Sequence, residues 1–290
     1  MTTPTGPQAD TAPRCYRHND RETWVGCQRC GRPICPDCMR PASVGFHCPE
    51  CVAEGKRTQR QPRTLAGGIV PRDAGRVTMV MIGINVIVFV AVLATGGFES
   101  PFVRDGILLA ADRLRWPDGA VVTGVDGGAY WRLLTSAFLH TQVFHILLNM
   151  YALWIFGPLL ERYLGYVRFV ALYLTAGVAG SVAVLWLSPA NQPTLGASGA
   201  VFGLFGAIVL IQHSRGGDIT AWLVLLGINL VIGFTVPSIS WQGHLGGLVA
   251  GLLLGAAFAY APRTRRTPVQ VVAFAALWVA MIAAVFAHAA

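Results

Sequence analysis

The chain has 290 residues, 54% of them hydrophobic and 12% charged, which excludes an ordinary soluble globule, whose charged share is about twice that. Net charge is +8, yet Lys56 is the only lysine and every other basic residue is an arginine. Those arginines gather where one polar side of a membrane holds them, so nucleic acid is not expected as a partner.

In chain order, residues 1–14, made largely of Thr, Pro, Gly, Gln and Asp, read as a disordered terminus. The Met1 end has no apolar core and hence no cleavable signal peptide. Residues 15–52 form a cysteine-rich module with the spacing Cys15-x2-His18, Cys27-x2-Cys30, Cys35-x2-Cys38 and Cys48-x2-Cys51. Four ligand pairs supply two tetrahedral Zn2+ sites, using all seven cysteines and one histidine. An odd cysteine count and a reducing cytoplasmic side argue against a disulfide framework. Pairing is either interleaved (Cys15/His18 with Cys35/Cys38, Cys27/Cys30 with Cys48/Cys51) or sequential, and His47 stands spare beside Cys48. Closed four-ligand sites leave no position for chemistry, so both ions are expected to be structural and the module to dock a cytoplasmic partner. Residues 53–76, with Lys56, five further arginines and two prolines, read as a basic flexible linker.

Residues 77–290 read as an all-α membrane domain. Charge-free runs cover 77–98, 133–160, 169–214, 219–262 and 267–290, and a spanning helix needs about 20 apolar residues. The two longest runs divide at Ser188-Pro189-Ala190-Asn191-Gln192-Pro193 and at Pro237-Ser238-Ile239-Ser240, giving seven expected spans. The arginines before the first span, roughly Val77–Gly97, predict a cytoplasmic amino terminus. Arg162, Arg168, Arg215, Arg263, Arg265 and Arg266 then fall on connections of the same side, and the outer connections at 188–197 and 235–241 carry no Lys or Arg. The long first outer loop, about 98–142, is expected to be folded at the interface.

Polar residues inside lipid-embedded helices are costly and therefore informative. His145 and Asn149 begin span two, Ser198 begins span four and His244 begins span six, all spans running inward, so the four groups share one depth near the outer face. Gly243, Gly247, Gly251 and Gly255 form a small-residue stripe that, with Gly199, Gly203 and Gly206, lets two helices approach closely. Ser198 beside His244 is then a nucleophile with its base. His145 and Asn149 lie one turn apart and point donors at the same place, and the Ser198 N–H at a helix start adds to an oxyanion hole. No Asp or Glu lies near the outer face in spans two to seven, so the chemistry has to run on a dyad, with Phe202 as the ring that orients His244.

These residues resemble the rhomboid family of intramembrane serine proteases. The resemblance covers roughly 75–290 and rests on Gly196-x-Ser198-Gly199, on His140 with His145-x3-Asn149, on Trp131-Arg132 and on His244-x2-Gly247-x3-Gly251. It implies a six-helix core, Ser198 as nucleophile, His244 as base, and His145 and Asn149 as oxyanion donors. It also implies a structural role for the Trp131-Arg132 loop, and the span at about Pro268–His288 looks like the extra carboxy-terminal helix of part of the family. Many members carry Tyr where this chain has Phe202. The expectation is a multi-pass serine endopeptidase of the cell membrane, acting on transmembrane-protein substrates without a catalytic cofactor. The rivals are a catalytically inactive adaptor that binds transmembrane helices and a transporter; no buried carboxylate path or internal repeat supports the latter.

Overall fold

The computed structural model describes residues 12–59, 62–236 and 239–289. The disorder expected for 1–14 therefore falls largely outside the described residues, as do Pro237 and Ser238 in the expected break before span six. The chain divides into two compact units, Met1–Gln61 and Pro62–Ala290.

In the first unit, β1 (Arg40–Pro41) pairs antiparallel with β2 (Phe46–His47), followed by helix α1 (Pro49–Thr58). Cys48 caps α1, its Sγ accepting from Cys51 N–H at 3.3 Å. The buried core consists of Ile34 and six of the seven cysteines, Cys30 being exposed. So small an apolar core cannot stabilise a domain of this size by itself.

The second unit is helical. Its elements are α2 (Arg76–Ala94), α3 (Pro101–Gly106), α4 (Arg132–Thr135), α5 (Val143–Leu164), α6 (Tyr166–Leu187), α7 (Ser198–Ser214), α8 (Thr220–Thr235), α9 (Trp241–Tyr260) and α10 (Arg266–His288), with a hairpin of β3 (Arg113–Arg115) and β4 (Val121–Thr123) in the first loop. Among the described residues five helices, α2, α5, α6, α9 and α10, have the length and apolarity to cross a membrane, against seven expected. The other two apolar helices, α7 and α8, are shorter, with 17 and 16 residues. At 1.5 Å per residue, α7 covers about 26 Å. The cause lies upstream: Thr194 pairs with Leu108 and Ala197 is already fully buried, so the chain is inside the bundle before α7 begins.

α7 is buried nearly all round, as a central helix must be, and its glycines set how close α9 comes. A Cβ at Gly247 would overlap the Gly199 carbonyl, one at Gly251 would overlap that of Gly203, and one at Gly255 would stand 2.8 Å from Ala207 Cα. α6 joins the same contact, a Cβ at Gly180 standing 2.8 Å from the Gly243 carbonyl oxygen.

The long loop between α2 and α5 is folded, as expected. Arg132 is buried, and its guanidinium donates to the carbonyls of Thr123 (2.8 Å), Arg104 (3.0 Å) and Ile107 (2.7 Å), while Trp131 Nε1 donates to Asp105 O at 2.9 Å. The stretch 53–76, expected as a flexible linker, is helical through Thr58. From Pro62 it belongs to the membrane unit: Ala66 is fully buried, and its N–H donates to Tyr163 O at 3.1 Å.

Candidate active site

α5, α7 and α9 begin at the same end of the bundle. Ser198 is the first residue of α7, His145 the third of α5 and His244 the fourth of α9. Gly196 (φ +127°) makes the turn into α7, and only glycine fits there, because a Cβ would stand 2.5 Å from His145 Cε1 and 2.6 Å from Nε2. The Cε1–Nε2 edge of the His145 imidazole thus presses against the backbone just before Ser198. One turn after Ser198, Phe202 stacks on the His244 ring with centroids 4.1 Å apart and planes 12° apart. His244 is buried, and its Nδ1 has no hydrogen-bond partner among the described residues.

A small cavity of about 30 Å³ opens beside Ser198, lined by Ser136, Ser181, Ser240 and the backbones of Gly180, Gly199 and Gly243. It holds roughly one water molecule. A Ser198 to His244 hydrogen bond is not formed among the described residues; such bonds are often long before substrate binds.

Asn149 is buried and donates from Nδ2 to His145 O at 3.0 Å, with His140 Nε2 3.4 Å away. His140, fully buried, also receives the Ala197 N–H on Nε2 at 3.4 Å, and its ring meets that of His145 at 5.0 Å edge to face. Acceptance on Nε2 assigns the ring proton to Nδ1. His140 thus ties α5 to the turn before Ser198, a role that spacing along the chain did not reveal. Ser136, Ser181 and Ser240 carried no signal of their own, being common packing residues.

In the first unit the cysteines form two clusters: Cys15, His18, Cys35 and Cys38, and Cys27, Cys30, Cys48 and Cys51, the ligand atoms of each lying within 4.8 Å of one another. This is the interleaved pairing, and His47 belongs to neither cluster. All seven thiols are free. His18 Nδ1 stands 3.2 Å from Cys35 Sγ and 3.4 Å from Cys38 Sγ, and Cys30 and Cys48 Sγ are 3.8 Å apart. A tetrahedron with 2.3 Å metal–sulfur arms has edges of about 3.8 Å. Burial pushes the Cys15 thiol up, but the backbone N–H groups of Cys35, Arg17 and His18 outweigh it and bring it down to about 6. Cys27 is likewise lowered to about 6, against its burial, by the N–H groups of Cys48, Cys30 and Arg29. Burial and neighbouring thiolates push Cys38 up to about 11, and the hydrogen bond from Cys48, with burial, pushes Cys51 up to about 12. Three or four sulfur ligands this close ionise together only around a cation, so the residues of both clusters fit a bound metal ion.

Comparison with known proteins bears on the second unit. The Rhomboid domain model matches residues 127–261. The chain is 36% identical over 136 residues to YdcA of Bacillus subtilis (strain 168), named for the same domain, covering 45% of this chain and 68% of that protein. The chain belongs to the rhomboid family. It is also 42% identical over 135 residues to Rhomboid protease GluP of the same organism, of which it spans 26%, and 36% identical over 139 residues to RHOMBOID-like protein 6, mitochondrial, of Arabidopsis thaliana, of which it spans 44%. The rhomboid match holds Ser198, His244, His145, Asn149, His140 and Trp131-Arg132, and leaves both cysteine clusters and α10 outside it.

Proposed function

We propose that this rhomboid chain is a multi-pass serine endopeptidase that hydrolyses peptide bonds in or beside the transmembrane segments of other membrane proteins. The observation that carries the reading is the meeting of three helix starts, with His145 against the turn that leads into Ser198 and the Phe202-stacked His244 on the helix packed against α7. Ser198 Oγ attacks the scissile carbonyl carbon while His244 takes the hydroxyl proton. The carbonyl π electrons move to oxygen, where His145, Asn149 and the Ser198 N–H supply donors, in a site where such donors are worth several kcal/mol. Collapse breaks the C–N bond, His244 gives its proton to the leaving amine, and an acyl ester remains on Ser198. Water entering from the outer side then hydrolyses the ester, its proton passing through His244 back to Ser198. Amides within an intact helix are protected by their own hydrogen bonds, so small or helix-breaking residues near the cut favour cleavage.

In this reading the amino terminus is cytoplasmic, the active site opens to the outer side of the cell membrane, and the two cysteine clusters hold structural Zn2+ for a module that docks a cytoplasmic partner. Zinc would neutralise the clustered thiolates of Cys15, Cys35 and Cys38 with His18, and of Cys27, Cys30, Cys48 and Cys51. The adaptor reading draws on one observation, that Asn149 Nδ2 is spent on His145 O and His140 rather than on the cavity. Covalent labelling of the purified chain by a fluorophosphonate probe separates the two. Labelling and cleavage of a single-span reporter, both lost in Ser198→Ala with the protein still folded, are expected; labelling that persists without Ser198 overturns the protease reading.

A further inference from the structure

Three arginines meet at one end of the membrane unit without an acid to balance them. Arg168 stands in the first turn of α6, Arg266 opens α10, and Arg63 lies in the segment before α2. The Arg168 guanidinium is held by donation from Nε to Gln270 Oε1 at 2.7 Å and from Nη2 to Thr267 Oγ1 at 3.4 Å. Gln270 is buried and donates in turn from Nε2 to Ala66 O at 3.0 Å, which fastens the segment before α2 to α10. Arg168 and Arg266 rest on neighbouring glycines of that segment: a Cβ at Gly68 would stand 3.1 Å from Arg168 Nη1, and one at Gly67 would stand 3.7 Å from Arg266 Cδ. Arg63, bridged antiparallel to Ile69 next to Gly68, brings a third positive charge to the same segment.

None of the three forms a salt bridge among the described residues. Arg266 Nε is buried with no hydrogen-bond partner there. Like charges gathered at one end of a helix bundle repel, and more strongly where water is partly excluded. A polar network that holds Arg168 there, with the Arg266 Nε left unpartnered beside it at the ends of apolar helices, favours an anion at headgroup depth. Guanidinium forks match phosphate oxygens in pairs, and basic pockets between membrane helices are suited to lipid headgroups.

We propose that Arg63, Arg168 and Arg266 form a binding site for the phosphate group of an anionic phospholipid. Inorganic phosphate shares the chemistry, but at the ends of α6 and α10 the lipid headgroup is the phosphate present at high local concentration. The site is independent of the protease reading, since it involves none of the residues around Ser198.

The test uses the full chain in neutral detergent, with phosphatidylglycerol, phosphatidylcholine or inorganic phosphate added, reading retained lipid by native mass spectrometry and the thermal unfolding midpoint. Wild type is expected to retain phosphatidylglycerol about tenfold over phosphatidylcholine and to unfold at a higher temperature with it, inorganic phosphate leaving both readings unchanged. Combining Arg63→Gln with Arg266→Gln should lower the preference at least about fivefold while the midpoint without lipid stays in place. Should the double variant misfold, Arg63→Gln alone, whose side chain makes no hydrogen bond among the described residues, should still lower the preference about threefold. Equal retention of the two lipids, a preference unchanged in the folded variants, or stabilisation by inorganic phosphate equal to that by phosphatidylglycerol would overturn the proposal.

Discussion

Phe202 and His244 stack face to face, with ring centroids 4.1 Å apart. Phe202 follows Ser198 by one helical turn, so the ring stacked on the imidazole shares a face of α7 with the Ser198 hydroxyl. Stacking of this kind contributes about 0.5–1.5 kcal/mol beyond area burial. If that contribution holds the base in place, Phe202→Ala lowers kcat by about tenfold with KM nearly unchanged, and Phe202→Tyr, which keeps the ring, restores most of it. A Phe202→Ala variant with wild-type kcat against a single-span reporter would remove orientation by stacking from the account.

Gly247 carries the approach of α9 to α7. A Cβ there would run into the Gly199 carbonyl and stand 3.0 Å from Gly199 Cα, a backbone contact that no side chain can relieve by turning aside. Gly247→Ala should therefore destabilise the membrane unit by about 1–3 kcal/mol and part the helices that bear Ser198 and His244. Gly227 on α8 has nothing within 4 Å of its added Cβ, and Gly227→Ala is the matched control. Thermal unfolding of both variants in detergent decides it: equal midpoints would mean that the contact is soft.

Glu161, fully buried at the end of α5, holds the start of α2. Its carboxylate accepts from Gly75 N–H (2.8 Å), Thr78 N–H (2.6 Å) and Thr78 Oγ1 (2.6 Å). It caps from another helix a first turn whose own N-cap is a glycine. Glu161→Ala leaves those donors buried and unpaired, at an expected cost of about 2–4 kcal/mol, and Glu161→Gln, which keeps one acceptor oxygen, should cost less. Chemical or thermal unfolding of the two variants should rank them in that order.

How much of this was legible in the sequence depends on the range over which each signal acts. The glycines at 243, 247, 251 and 255 and the polar residues at three helix starts are local patterns, and they place close packing and a polar cluster at one depth. The clustering of four Cys/His pairs is equally local. Glu161 was visible only as one of two acids after Leu133, because nothing within α5 shows that its carboxylate turns to a helix start some eighty residues earlier. Residues 53–76 read as linker from their basic residues and two prolines, whereas the burial of Ala66 depends on partners at Tyr163 and Gln270 that no local pattern reveals.

The two cysteine clusters should behave as one folding unit. Their ligands are interleaved, so loss of either ion frees chain segments that bound the other. Metal analysis of the full chain purified under reducing conditions should give about two zinc ions per chain. Cys35→Ser should release more than one, because the Cys15 to Cys38 segment that closes the first cluster also carries Cys27 and Cys30 of the second. Retention of one full equivalent in Cys35→Ser would show the clusters to be independent.

The last turn of α10 is pinned to the loop between α2 and α5 by His288 Nδ1, 2.8 Å from Asp126 Oδ1. Trp186 braces the same histidine edge to face at 5.4 Å and donates from Nε1 to Ala284 O at 3.2 Å. Both partners of the pair keep about a fifth of their side-chain surface exposed (20% and 23%), so its expected worth is at most about 1 kcal/mol. A double-mutant cycle on Asp126→Asn and His288→Ala isolates that term, since each variant removes the pair without leaving a deeply buried charge behind. A coupling of a few tenths of a kcal/mol, shrinking with added salt, is expected for a partly exposed pair. Zero coupling at low salt would leave Trp186, rather than the His288–Asp126 contact, as the one that holds α10 to the loop side of the bundle.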